Sequence, residues 1–149
     1  MKKLLIVSHV PSDNTRQLTG WVASGAGSGR VEVELSQPLQ TGAQQVLNAD
    51  GLILGTTENF GYMSGAMKDF FDRIYYPCLD ETRGLPYALF IRAGQDGQGA
   101  KTSIERIVTG LGWRAVQEPL VCKGEITQFE EPCMQLGELM ALGLEQEIF

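Results

Sequence analysis

The chain has 149 residues, 43 % of them apolar, enough for a two-sided core and too many for wholesale disorder. Twelve basic and eighteen acidic residues leave a net charge of −6, the wrong sign for a surface that grips nucleic-acid phosphates. No apolar run approaches the roughly 20 residues of a membrane span, and Leu4 to Val7, soon followed by His9, Ser12 and Asp13, is too short for a signal peptide.

Leu4-Leu5-Ile6-Val7 is a short apolar run ahead of a proline-containing loop, as in a strand buried on both faces. Thr15 to Ala23 places Leu18, Trp21 and Val22 at helical spacing, and Gly25 to Gly29 is expected to stop that helix. Val31, Val33 and Leu35 alternate with Glu32 and Glu34, the pattern of an edge strand. Thr41 to Ala49 predicts a short helix, and Gly51 to Gly55 the next buried strand. Met63, Met67, Phe70, Phe71 and Ile74 form a helical stripe that reads as core, ended by Pro77. Tyr87 to Ile91 predicts a fourth strand, followed by the glycine-rich Ala93 to Gly99. Ile104, Ile107, Val108 and Leu111 predict a helix closed by Gly112. Trp113 to Cys122 predicts the fifth strand, with Pro119 at a bulge or an edge. Pro132 stands near the start of a last helix through Leu136, Leu139, Met140 and Leu144. Five alternating units without repeat or linker predict one α/β domain over residues 1–149, a parallel sheet with helices on both faces.

Charge and sulfur are placed unevenly. From Glu118 to Phe149 seven acidic residues face one basic residue, Lys123, while residues 1–117 sum to zero. This is either a solvated helix face or an edge that docks a basic partner. Cys78, Cys122 and Cys133 form no CxxC pair, so no zinc site or disulfide framework is expected, and a cytoplasmic location is.

In an open parallel sheet, ligands bind beyond the carboxyl ends of the strands where the winding reverses. The loops after the first, third and fourth strands are Ser8 to Thr15, Thr56 to Tyr62 and Arg92 to Gly99. Between them they are rich in hydroxyls, amides and glycine. Ser8, Ser12, Asn14 and Thr15 beside a helix N-terminus could hold a phosphate without lysine or arginine, or Ser12 or Asn14 could simply cap the helix. Asp13 opposes an anion unless it faces water, with Arg16 placed to offset it. Phe60 and Tyr62 flank Gly61 beyond a buried strand, an arrangement that suits a flat ligand.

The segment Gly55-Thr56-Thr57-Glu58-Asn59-Phe60-Gly61-Tyr62-Met63-Ser64-Gly65-Ala66-Met67-Lys68-Asp69-Phe70-Phe71-Asp72-Arg73 resembles the flavodoxin-like NAD(P)H-dependent oxidoreductases, the flavin-dependent quinone and FMN reductase group. The resemblance implies a flavodoxin-like, five-stranded parallel sheet of order 2-1-3-4-5 and FMN as cofactor, with NADPH or NADH as electron donor. It implies FMN phosphate on Ser8, Ser12, Asn14 and Thr15. It implies the isoalloxazine on Thr56, Thr57, Glu58, Asn59, Phe60, Gly61 and Tyr62, closed over by Ala93, Gly94, Gln95, Asp96 and Gly97. The partner is then a small electron acceptor, a quinone or free flavin, or a redox protein. Members of the group often pair as homodimers, and Tyr75, Tyr76 and Trp113 are expected as exposed interface aromatics. The first loop departs from long-chain flavodoxins, which carry glycine before the final threonine: here Pro11 and Asp13 occupy the loop and glycine is absent. A flavodoxin-type carrier without its own NAD(P)H site is the alternative reading, favoured by the acidic C-terminal part.

Other motifs fail. Gly94 to Thr102 imitates a P-loop, but Ala100 separates Gly99 from Lys101. Gly25 to Gly29 precedes a strand where a dinucleotide fingerprint would follow one. A receiver domain needs acids after the first strand, where Ser8-His9 stands. His9, the only histidine, lacks partners for a metal site or a triad, so no metal ligand and no catalytic acid or base is assigned. Arg92 is a candidate for nucleotide phosphates, or for a salt bridge. Cys78 reads as a small apolar filler.

Overall fold

A computed structural model describes residues 1–149. The chain runs β1 (Lys2–Ser8), α1 (Asp13–Ala26), β2 (Val31–Ser36), α2 (Ala43–Leu47), β3 (Gly51–Asn59), β4 (Tyr62–Met63), α3 (Gly65–Cys78), β5 (Pro86–Arg92), α4 (Gln98–Leu111), β6 (Arg114–Ala115), β7 (Leu120–Cys122) and α5 (Glu130–Glu145). The main sheet is parallel, in the order β2-β1-β3-β5, with β6 and β7 both on the outer edge of β5. β6 and β7 are the two pieces of the predicted fifth strand, so the order is the expected 2-1-3-4-5 of a flavodoxin-like sheet. Pro119 lies in the break between them, because it cannot donate to a ladder.

The buried runs of β1, β3 and β5 alternate their side chains between two cores. Leu5, Val7, Leu52, Leu54 and Leu89 meet Met67, Phe70, Phe71 and Ile74 of α3 and Ile104 and Val108 of α4. Leu4, Ile6, Ile53, Ala88 and Phe90 meet Leu18 and Val22 of α1 and Leu136, Met140 and Leu144 of α5. Helices therefore cover both faces. Leu139, on the expected stripe of α5, is 39 % exposed and stands outside the core.

Several expected boundaries move, each for a local reason. α1 continues to Ala26 instead of stopping at Gly25, because Gly25 supplies close approach: a Cβ there would overlap the Met134 carbonyl of α5. Reciprocally, a Cβ on Gly137 of α5 would overlap the Val22 carbonyl of α1, so the two helices touch backbone to backbone. The predicted helix over Thr41 to Ala49 shrinks to α2, preceded by a 3-10 turn at Pro38–Gln40. Arg73 of α3 holds that turn by donating to the carbonyls of Pro38 and Thr41, both at 2.7 Å. Pro77 sits inside the last turn of α3, which ends one residue later.

Trp113 is 7 % exposed, against the expectation of an interface aromatic. Its indole N–H donates to Thr82 Oγ1 at 2.8 Å and its ring packs near Phe71 and Tyr87. Gly112, at φ 75°, makes the left-handed turn that sends the chain back under α4. Tyr76 is 79 % exposed and Tyr75 half-buried against it. Cys78 is fully buried, and burial pushes its thiol up to about 11, in keeping with an apolar filler. No helix is long and apolar enough to cross a membrane.

Candidate functional site

The three loops singled out from sequence lie side by side, since β1, β3 and β5 are adjacent and parallel. At the first, Ser8 closes β1 and is buried, its hydroxyl bonded to Thr19 Oγ1 at 2.7 Å. The backbone of His9 donates to Gly55 O at 3.0 Å, which extends the β1–β3 ladder by one residue. Partial burial lowers the pKa of His9 from its ordinary value, which favours the neutral ring.

α1 opens with a reciprocal cap. Ser12 Oγ accepts from Thr15 N at 3.2 Å, and Thr15 Oγ1 accepts from Ser12 N at 3.0 Å. Ser8, Ser12 and Thr15 thus have their hydroxyls engaged within the chain, while Asn14 stays exposed. The N–H groups of Asp13 and Asn14, in the first turn, find no partner and carry the helix's positive end. The Asp13 side chain is almost wholly in solvent and pairs with Arg16, so it does not oppose an anion at this end.

The second segment is a hairpin rather than a loop. β3 runs on to Asn59, which pairs with Tyr62 of β4. The two residues between them, Phe60 at φ 53° and Gly61 at φ 70°, both take the left-handed backbone of a type I′ turn. Glycine tolerates this; phenylalanine is strained there, and its ring is fully exposed. The hairpin is fastened at its base. Glu58 Oε2 accepts from Ala100 N at the start of α4 at 3.1 Å, and Met63 N donates to Ser103 Oγ at 3.1 Å. Gly99 lets the α4 backbone abut Gly61, where any Cβ would overlap the Gly61 carbonyl. Thr56 Oγ1 accepts from Ser64 N at 3.0 Å, and buried Ser64 caps α3 by accepting from Met67 N at 3.1 Å. Ser64→Ala is therefore expected to cost about 1 kcal/mol, read as a lower urea midpoint with unchanged slope.

The third loop follows β5. Ala93 is buried and donates to Cys122 O at 3.2 Å. Asp96 Oδ1 accepts from Gln98 N at 3.0 Å, and Gly97, at φ 74°, turns the chain into α4. Gly94 and Gln95 stay exposed. Arg92 neither faces the crevice nor forms a salt bridge: its guanidinium donates to the carbonyls of Cys122 and Gly124 at 3.2 and 2.7 Å. Asn14, Asn59, Phe60, Gly61, Tyr62, Gly94, Gln95 and Asp96 are therefore the predicted residues with accessible groups. Ser8, Ser12, Thr15, Thr56, Glu58, Ala93 and Gly97 support them. Sequence reasoning missed Gly99 and Ser103, which hold the hairpin; the glycine run that failed as a P-loop was their only signal.

Thr57 Oγ1 is the one buried side-chain oxygen or nitrogen in the molecule without a hydrogen-bond partner. It lies on β3 beside Arg92 of β5, three residues before the exposed Phe60. A free hydroxyl, a positive helix end and a flat apolar ring answer the polar edge, phosphate and ring system of a flavin mononucleotide, so the residues fit that group.

Residues 29–128 match the NADPH-dependent FMN reductase family. The chain belongs to that family. It is a flavodoxin-like flavoprotein of the FMN class. A flavodoxin of Aquifex aeolicus (strain VF5) is 33 % identical over 112 residues, which cover 74 % of this chain and 60 % of that protein. Among solved structures, a flavodoxin from the domain Archaea superposes with a TM-score of 0.81 at 19 % identity, covering 95 % of this chain and 98 % of that one. Megasphaera elsdenii flavodoxin in its two-electron reduced form gives 0.77 at 18 %, covering 93 % and 98 %. These two likenesses establish the flavodoxin-like fold.

Proposed function

We propose that residues 1–149 act as one domain that holds FMN across the ends of β1, β3 and β5 and oxidises NADPH or NADH, passing the electrons to a small acceptor such as a quinone or free flavin. The observation that carries this reading is the β3–β4 hairpin, an exposed and strained Phe60 fastened to α4 beside the orphaned Thr57 hydroxyl. When bound, FMN supplies the hydride acceptance and electron release of the reaction. The chain's part is positional. The N–H groups of Asp13 and Asn14 hold the phosphate, Phe60 and Tyr62 offer the ring an apolar surface, and Thr57 and Gln95 donate to its polar edge. No side chain serves as general acid or base. We assign the protein to the cytoplasm, a compartment that suits three free thiols. A second copy docked on exposed Tyr76 accounts for that ring in water.

The second reading, an electron carrier without an NAD(P)H site, is favoured by the acidity of residues 118–149, which suits a basic redox partner. Mixing the protein with FMN and then with NADPH or NADH under anaerobic conditions separates the two. Retained yellow colour and rapid loss of the flavin absorbance, without another protein, is the expected result. Colour without bleaching leaves the carrier, and no uptake of FMN removes both readings.

A further inference from the structure

The end of the last helix carries a groove that the proposed reaction does not use. Beyond α5 the chain reverses at Glu147, whose φ of 55° is left-handed, and Ile148 N donates back to the Gly143 carbonyl at 2.8 Å. The Phe149 ring is laid against Gly143, where any Cβ would overlap it. A cavity of about 400 Å³ opens between this returning segment and α5. Leu139, Leu142, Ile148 and Phe149 give it apolar walls, and Ile148 is 69 % exposed although its backbone is tied down. Glu138 stands on the rim. From Glu130 to Phe149 there are five acidic residues and no basic one, and only Glu147 has a cation beside it, Lys2 at 3.7 Å. That ion pair, and the contact of Leu144 with Gly51 at the start of β3, put the groove at the opposite end of the sheet from the crevice.

We propose that this groove docks a basic amphipathic helix of a partner protein. Its walls belong to a helix and the turn that ends it, not to a sheet edge, so an added strand has no ladder to join. A helix laid along α5 can set apolar side chains between Leu139 and Ile148, and its lysines or arginines then face Glu138 and Glu131, two turns apart on α5. Charge decides among occupants. A second copy would bring the same acidic surface against this one, and an anionic membrane would be repelled in the same way. A partner held here leaves the crevice open, so it anchors the protein rather than taking its electrons. The inference stands whether or not the crevice holds a flavin.

Fluorescence anisotropy of a labelled peptide of about 18 leucines and lysines, patterned to give a helix one apolar face, tests the site on the whole protein. A peptide of the same composition in shuffled order is the control. Saturable binding at least about tenfold tighter than to the shuffled peptide is expected. Leu139→Ser combined with Ile148→Ser leaves every charge in place and should weaken binding at least about tenfold. Both positions are exposed, so the urea midpoint should hold. Glu138→Lys should weaken binding about fivefold or more and flatten its salt dependence. Glu81→Lys, an equal change of charge just beyond α3 on the other face of the sheet, should alter it less than about twofold. Equal binding of the two peptides, indifference to the serine pair, or equal weakening at Glu81 overturns the site. So does a dimer that the serine pair dissociates, which would give the groove to a second copy, or binding to phosphatidylcholine vesicles that the same pair abolishes.

Discussion

Replacing Phe60 by asparagine is expected to strengthen the fold while weakening FMN binding. Phe60 occupies the first central position of a type I′ turn, with φ at 53°, and its ring contributes no burial to the chain. Left-handed backbone costs an ordinary residue on the order of 1–2 kcal/mol, and asparagine followed by glycine is the favoured pair for this turn. Phe60→Asn should therefore raise the unfolding free energy by about 0.5–1 kcal/mol, visible as a higher urea midpoint. The same change deletes an aromatic face that stacking makes worth roughly 1–3 kcal/mol, so the FMN dissociation constant should rise about tenfold or more. Opposite signs from one substitution would mark the strain as functional. Weaker folding together with unchanged FMN affinity would instead make Phe60 a structural residue.

Gly137→Ala should be among the most damaging single methyls in the molecule, with Gly25→Ala and Gly99→Ala. Its Cβ would run into the Val22 carbonyl and the Ala26 amide of α1, backbone atoms that cannot rotate aside as a side chain can. Overpacking of this kind costs about 1–3 kcal/mol or more, against which alanine returns up to about 1 kcal/mol of helix propensity. A net loss of about 2 kcal/mol, or roughly 4–8 °C in Tm, is expected by thermal denaturation. Gly20→Ala, on the same pair of helices but facing open space, should instead gain about 0.5–1 kcal/mol. Equal effects at the two positions would refute the backbone-contact account.

The buried strands were legible because continuous apolar runs leave little choice: Leu4 to Val7, Gly51 to Gly55 and Tyr87 to Ile91 all lie in the sheet. The misread boundaries have non-local causes. Gly25 looks like a helix stop until Met134, more than a hundred residues away in sequence, presses its carbonyl against it. Trp113 looks exposed until Thr82 receives its indole N–H. Within the site, Phe60 and Tyr62 could be picked out because aromatics around a glycine beyond a strand have no core to enter. Their presentation on a hairpin could not, because Thr56 to Asn59 has the composition of a loop and its pairing depends on α4. Hydroxyl residues were the least legible: Ser12 and Thr15 suit a cap as well as a ligand, and sequence alone does not say which partner a hydroxyl finds.

The fastening of the hairpin to α4 bears on how the protein would exchange its cofactor. Glu58, Met63 and Gly61 tie both arms and the tip to one helix, so the wall is built before anything binds. An empty receptacle of this kind sheds little freedom on filling, and the penalty of ordering a flexible flap is absent. Uptake then requires no folding step, and differences in affinity among variants would appear chiefly in how long the guest remains.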